Sequence, residues 1–211
     1  MIRASTSEPV RAALAELAAH PIDAIVIGGS AGSLDGLMRL LPALPVGLRV
    51  PVLIVVHLPA DRPNGVPQIM APRCAVAVSE AIDKQAIAPG TVLFAPSDCH
   101  LLVERGATVA LSVDEPVHYS RPGIDPLFES AAWEWAARVL GIVLSGASGD
   151  GAAGLAAITG AGGLAWVQTP DSAQVSFMPE AALAAAPSAR SLTTSDMADV
   201  LALSSALREA R

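Results

Sequence analysis

The apolar residues of this chain fall into two kinds of stretch that alternate along its length. Short runs at 22–27, 51–58, 139–144 and 164–168 are apolar nearly throughout, for example Val52-Leu53-Ile54-Val55-Val56 and Val139-Leu140-Gly141-Ile142-Val143-Leu144. Unbroken runs of this length belong to strands covered on both faces, as in a parallel sheet. Between them apolar residues recur every three or four positions. Leu34, Leu37, Met38 and Leu41 predict a helix, and further helices are expected over 124–138, over 152–161, from Glu180, and from about Ser195 to Glu209. Shorter strands are read at 75–79, 90–94, 100–103 and 107–113, the last two closing a hairpin around Glu104-Arg105-Gly106. Ahead of all this, Ser7-Glu8-Pro9 opens a helix with Val10, Leu14, Leu17 and Ala18 on one face. That face suits either its own domain or another protein.

Strand and helix in alternation imply an α/β domain with a doubly wound, mostly parallel, Rossmann-like sheet and one antiparallel hairpin. The expected division is a helical extension over 1–20 and one α/β domain over 21–211. A length of 211 residues, 52% of them hydrophobic and 16% charged, supports one well-covered core. Aromatic residues make up only 3%, and Trp133 and Trp135 read as packing. The net charge of −7 and the lack of any Lys/Arg cluster argue against a nucleic-acid ligand. Cys74 and Cys99 fit neither a C-x-x-C nor a zinc pattern, and read as unpaired residues of a reducing compartment. No run reaches the roughly 20 apolar residues of a membrane span. The first eight residues have no signal-peptide core, so a cytoplasmic location without membrane insertion is expected.

The chemistry gathers at the ends of the apolar runs. After the first comes Gly28-Gly29-Ser30-Ala31-Gly32, a G-x-S-x-G pattern in which a sharp turn lifts a serine from the end of a strand. Three readings of it stand side by side. Ser30 or Ser33 caps the helix that follows. The turn cradles a phosphate, although G-x-G-x-x-G would need glycine where Ser30 and Ser33 stand. Or Ser30 is a nucleophile. The second run ends on His57, where a dinucleotide site would prefer an acid. The run at 139–144 leads through Ser145-Gly146-Ala147-Ser148-Gly149 to Asp150, which is either the cap of the next helix or an acid that orients a histidine. Ligands of parallel sheets sit at the carboxyl ends of strands. Ser30, His57 and Asp150 all lie at such ends.

These motifs, with Phe94-Ala95-Pro96, Arg121-Pro122-Gly123-Ile124-Asp125-Pro126-Leu127-Phe128 and Met178-Pro179-Glu180-Ala181-Ala182, stand in the order found in the CheB-type chemoreceptor methylesterases, and residues 22–188 resemble that family's catalytic domain. The resemblance implies a protein-glutamate methylesterase that hydrolyses glutamate methyl esters on chemoreceptor cytoplasmic helices, and that also deamidates glutamines. It assigns Ser30 as nucleophile, His57 as general base and then acid, and Asp150 as the residue that orients His57. Ala31 and Ala147 are implied as oxyanion donors and Met178 as an oxyanion or substrate contact. No cofactor or metal is implied. The implied partner is a methyl-accepting chemoreceptor or related sensor protein.

Several positions depart from the family pattern. Ala31 and Ser33 replace Thr and Gly after the nucleophile, Ala147 and Ser148 alter the Asp loop, and Phe177 stands where a small residue is usual. Only about 20 residues precede Ile22, so a stand-alone catalytic domain without the family's receiver domain is expected, with a separate receiver protein as a further candidate partner. Two other readings remain: a serine esterase of this fold that acts on a different ester, and a catalytically silent regulatory module.

Overall fold

The computed structural model describes residues 6–57 and 63–207. Leu58 and Pro59 of the second run lie outside the described residues, as does Glu209, while the helix expected to reach Glu209 already ends at Leu203. Its strands are β1 (Ala24–Gly29), β2 (Val52–Val56), β3 (Ala77–Glu80), β4 (Thr91–Phe94), β5 (His100–Glu104), β6 (Thr108–Ser112), β7 (Val139–Val143), β8 (Leu164–Gln168) and β9 (Arg190–Leu192). The helices are α1 (Glu8–Ala19), α2 (Ser33–Leu40), α3 (Val66–Met70), α4 (Ile124–Trp135), α5 (Ala152–Gly160), α6 (Phe177–Ala185) and α7 (Thr194–Leu203).

Seven strands form one wholly parallel sheet in the order β3-β4-β2-β1-β7-β8-β9. β5 and β6 make a separate antiparallel hairpin. The fold is therefore the α/β arrangement expected from the alternating pattern. Every residue of β1, β2, β7 and β8 is buried, the consequence of a cluster of apolar side chains on each face of the sheet. From β1 the chain passes to β2, then to β3 at the sheet edge and back to β4 between β3 and β2, and later returns to β1's other side with β7, β8 and β9. The order reverses between β1 and β7, the place where open parallel sheets take their ligands, at the carboxyl ends of the strands.

Three local expectations need correction. Leu34 and Met38 do not face the core: α2 buries Ser33, Gly36, Leu37 and Leu40 and leaves Leu34 and Met38 about two-fifths exposed. Small residues let the helix lie close to its neighbours, since a Cβ on Gly36 would stand 3.3 Å from both Leu144 and Thr194. Closeness of backbone outweighs the side-chain period here. On α4, Trp135 is buried, whereas Trp133 is exposed and lies under the Arg105 guanidinium, 4.8 Å from the ring centroid. On α1 the buried residues are Val10, Ala13 and Leu17, with Leu14 half-buried and Ala18 exposed.

This apolar face of α1 is spent within the chain, against α7 and the core. Glu16 fixes the helix further through Arg190, at 3.0 Å. β9 and α3 have no clear signal in the sequence, because each is only three to five residues long. Cys74 and Cys99 are both free. Among the described residues no helix is long and apolar enough to cross a membrane.

Candidate active site

β1 ends under tight steric control. A Cβ on Gly28 would lie 2.3 Å from Ile124 Cγ2, so only glycine lets the first residue of α4 nest against the strand end. The turn that follows is pinned from both sides. Ser30 N–H donates to Ser145 O at 2.9 Å, and Ser33 N–H and Oγ both donate to Ser30 O, at 3.0 and 2.7 Å. Ser145 Oγ in turn donates to Ala31 O at 2.7 Å and accepts from Val175 N–H at 2.9 Å. Gly32, with φ of +78°, occupies the N-cap of α2, and no side chain caps that helix. The cap reading of Ser30 and Ser33 therefore fails. Ser33 is buried in bracing the turn, and the Ser30 hydroxyl stands half-buried at the crest without a capping duty.

His57 follows β2 directly, and its N–H donates to Gly29 O at 3.1 Å, continuing the pairing of Gly29 with Val56. Ser30 and His57 are thus the next residues along two adjacent strands. The His57 ring, largely buried, reaches the fully buried Asp150 with Nε2 2.8 Å from Oδ2. The same carboxylate accepts two backbone hydrogen bonds from the first turn of α4, Ile124 N–H to Oδ2 at 2.7 Å and Asp125 N–H to Oδ1 at 2.9 Å. Burial by itself would raise the Asp150 carboxyl. The hydrogen bond from His57 and the two from α4 more than offset that, and hold the group below its ordinary value. An ionised Asp150 only accepts, so His57 Nε2 carries the proton of this contact, and in the neutral ring Nδ1 keeps its lone pair.

The cap reading of Asp150 is half right. α5 has Gly151 at its N-cap and no side-chain cap. The aspartate instead serves the amino end of α4, a helix that begins 26 residues earlier in the chain. Among the described residues the Ser30 hydroxyl makes no hydrogen bond to the His57 ring. The two exposed alanines of the neighbouring turns, Ala31 and Ala147, have backbone N–H groups without a hydrogen-bond partner among the described residues.

Met178 departs from its expected place. Its N–H is engaged with Gly146 O at 2.9 Å and its side chain is buried beneath that turn, where a Cβ on Gly146 would meet Sδ at 2.6 Å. It props the turn that leads to Asp150 and offers neither a free donor nor an exposed surface.

Sequence reasoning did not find the α4 donors or the brace from Ser145. A signal for the first exists in Ile124-Asp125-Pro126, which marks a helix start and hence free N–H groups at its first turn. Nothing local says which carboxylate meets them. The loop before α4 is held by His100, whose Nδ1 accepts from Gly123 N–H at 3.0 Å, and by Arg121, which donates to Asp98, Val113 O and Asp114 O.

A polar groove of about 410 Å³ opens beside the Ser30 turn, lined by Gly32, Asp35, Arg39, Gln168 and Gln174 among others. A cleft of similar size, about 430 Å³, lies at the opposite end of the sheet near Ile22 and Trp135, away from these residues. Among the described residues no three His, Cys, Asp or Glu side chains are grouped as a metal site.

The chain is similar to known proteins over most of its length. A protein of Leptospira interrogans is 40% identical over 163 residues, covering 77% of this chain and 84% of that protein. Protein-glutamate methylesterase/protein-glutamine glutaminase 5 of Myxococcus xanthus is 38% identical over 180 residues, 84% of this chain, which spans only 50% of that longer protein. The crystal structure of the Thermotoga maritima CheB methylesterase catalytic domain shares the fold, with a TM-score of 0.79 at 24% identity, covering 86% of this chain and 97% of that one. The model of the family described as CheB methylesterase matches residues 25–201. The chain belongs to the CheB methylesterase family, a family of carboxylic ester hydrolases.

Proposed function

We propose that this chain hydrolyses glutamate methyl esters on the cytoplasmic helices of a chemoreceptor or related sensor protein, with Ser30 as nucleophile, His57 as general base and acid, and Asp150 as its orienting partner. The observation that carries the reading is the His57–Asp150 hydrogen bond at the end of β1's neighbour. It commits Nε2 to the aspartate and leaves Nδ1 as the basic nitrogen beside the strand end that bears Ser30. The ring is used in the opposite sense from a protease triad, where Nδ1 faces the aspartate.

The chemistry then follows. Ser30 Oγ attacks the ester carbonyl as His57 Nδ1 takes its proton. Negative charge develops on the carbonyl oxygen, and the N–H groups of Ala31 and Ala147, without a partner among the described residues, are the donors proposed for it. Collapse expels methoxide, which leaves as methanol with the proton from His57. Water attacks the Ser30 acyl ester, again losing a proton to Nδ1, and the glutamate carboxylate departs as Ser30 recovers its hydrogen. With a glutamine substrate the leaving group is ammonia, the second activity in the name of the Myxococcus relative. A separate receiver protein is the proposed regulator.

The test is methanol release from a methylated receptor cytoplasmic domain by wild type and Ser30→Ala in parallel. Release by wild type alone supports the reading. If neither releases methanol, labelling of Ser30 by a serine-reactive phosphonate separates an esterase with another substrate from a silent module.

A further inference from the structure

The first turns of α4 and α5 lie against each other, and each is served by a carboxylate from the other side. Asp150, just ahead of α5, accepts from Ile124 N–H and Asp125 N–H of α4. Asp125, in the first turn of α4, accepts from Gly154 N–H of α5 at 2.7 Å through Oδ1. The approach is close: a Cβ on Gly154 would stand 3.1 Å from both Asp125 Cα and Asp125 O. Two helix amino ends, each bearing partial positive charge, are brought together here, and two buried aspartates are exchanged across the gap.

We infer that Asp125 is a positioning residue for this site, locking α4 to α5 so that Asp150 is held in place, and adding a second negative charge that acts on His57 through Asp150. The inference rests on the reading that Ser30, His57 and Asp150 perform the hydrolysis. Asp125 does not touch the reacting atoms. Its N–H is one of the three donors that fix Asp150, and its side chain holds the helix that supplies two of them.

The charged and titratable groups facing Asp125 are few. Asp150 faces it from the turn before α5 and Glu129 from one turn farther along α4. His118, from the loop ahead of α4, has Nε2 3.7 Å from Asp125 Oδ2. His100 lies beyond, against Gly123. Burial raises the Asp125 carboxyl above its ordinary value, the Gly154 N–H opposes this, and the negative charges of Asp150 and Glu129 add to the rise. The group therefore gives up its proton at a higher pH than an exposed aspartate does.

The experiment compares Asp125→Asn and Asp125→Ala with wild type in hydrolysis of p-nitrophenyl acetate across pH, with Ser30→Ala as control. The asparagine keeps an acceptor for Gly154 N–H but removes the charge, so the acid limb of kcat/KM is expected to move to lower pH. The alanine removes the lock as well, and kcat should fall about tenfold or more with KM little changed. An acid limb left in place by Asp125→Asn, or an unchanged kcat in folded Asp125→Ala, overturns the inference. If the alanine variant does not fold, the position of the limb in Asp125→Asn decides alone. Wild-type turnover retained by Ser30→Ala would instead overturn the reading of the site itself.

Discussion

His57 Nε2 lies 2.8 Å from Asp150 Oδ2 although the two residues extend from strands that are not neighbours, β2 and β7, with β1 between them. The contact therefore passes across the carboxyl end of β1, where Ser30 stands. Asp150 comes from the turn after β7, residues 145–149, which is braced by Met178 against Gly146 and by the Ser145 hydroxyl on Ala31 O. The aspartate stays charged in a buried place because three hydrogen bonds meet it.

That depressed carboxyl makes stability pH-dependent with a definite sign. The unfolded chain binds a proton to Asp150 at a higher pH than the folded chain does, so its contribution is complete above the ordinary carboxylate range. It is lost as pH falls through the lower, folded-state value. Asp150→Asn should flatten this acid slope, read by urea unfolding at a series of pH values between neutrality and the acid transition. The same variant leaves His57 without an anion to fix its tautomer and should lower kcat by roughly 10³–10⁴. An unaltered slope would show that the charge on Asp150 is not stabilised in the fold.

The turn that presents Ser30 depends on Gly32. At φ of +78° any other residue is strained, and a Cβ there would lie 2.6 Å from Gln174 Cβ and 2.8 Å from Ser145 Oγ. Gly32→Ala should destabilise the protein by about 1–3 kcal/mol. It should also slow phosphonate labelling of Ser30, because the clash falls on the side chain that holds Ala31 O. Full stability together with full labelling would mean that the turn relaxes freely.

α1 belongs to the fold in the same sense as the other helices. Leu17 is 1% exposed, within the core cluster that also contains Trp166 and Met197. Leu17→Ala should cost about 2–5 kcal/mol in a single cooperative unfolding transition. A loss below 1 kcal/mol would make α1 a loosely attached element and would return its apolar face to the question of partners.

The sequence by itself determined the class of fold and the positions where chemistry gathers. Unbroken runs such as 52–56 and 139–143 are intelligible without neighbours, because a strand covered on both faces has nowhere to put polar residues. The motif Gly28 to Gly32 and the strand-end positions of His57 and Asp150 are equally local facts. What the sequence left open was decided by contacts between distant segments. Whether Ser30 or Ser33 caps α2 stayed open until the structure put Gly32 at its N-cap and braced Ser33 in the turn. Asp150 caps a helix, but α4 and not α5, since Ile124 can lie against Gly28 and bring its N–H within 2.7 Å. Leu34 and Met38 turned outward because the closest approach of α2 runs through Ser33 and Gly36. Periodicity records which residues avoid water. It does not record which backbone comes near enough to donate a hydrogen bond, and at this site those approaches decide what each polar side chain does.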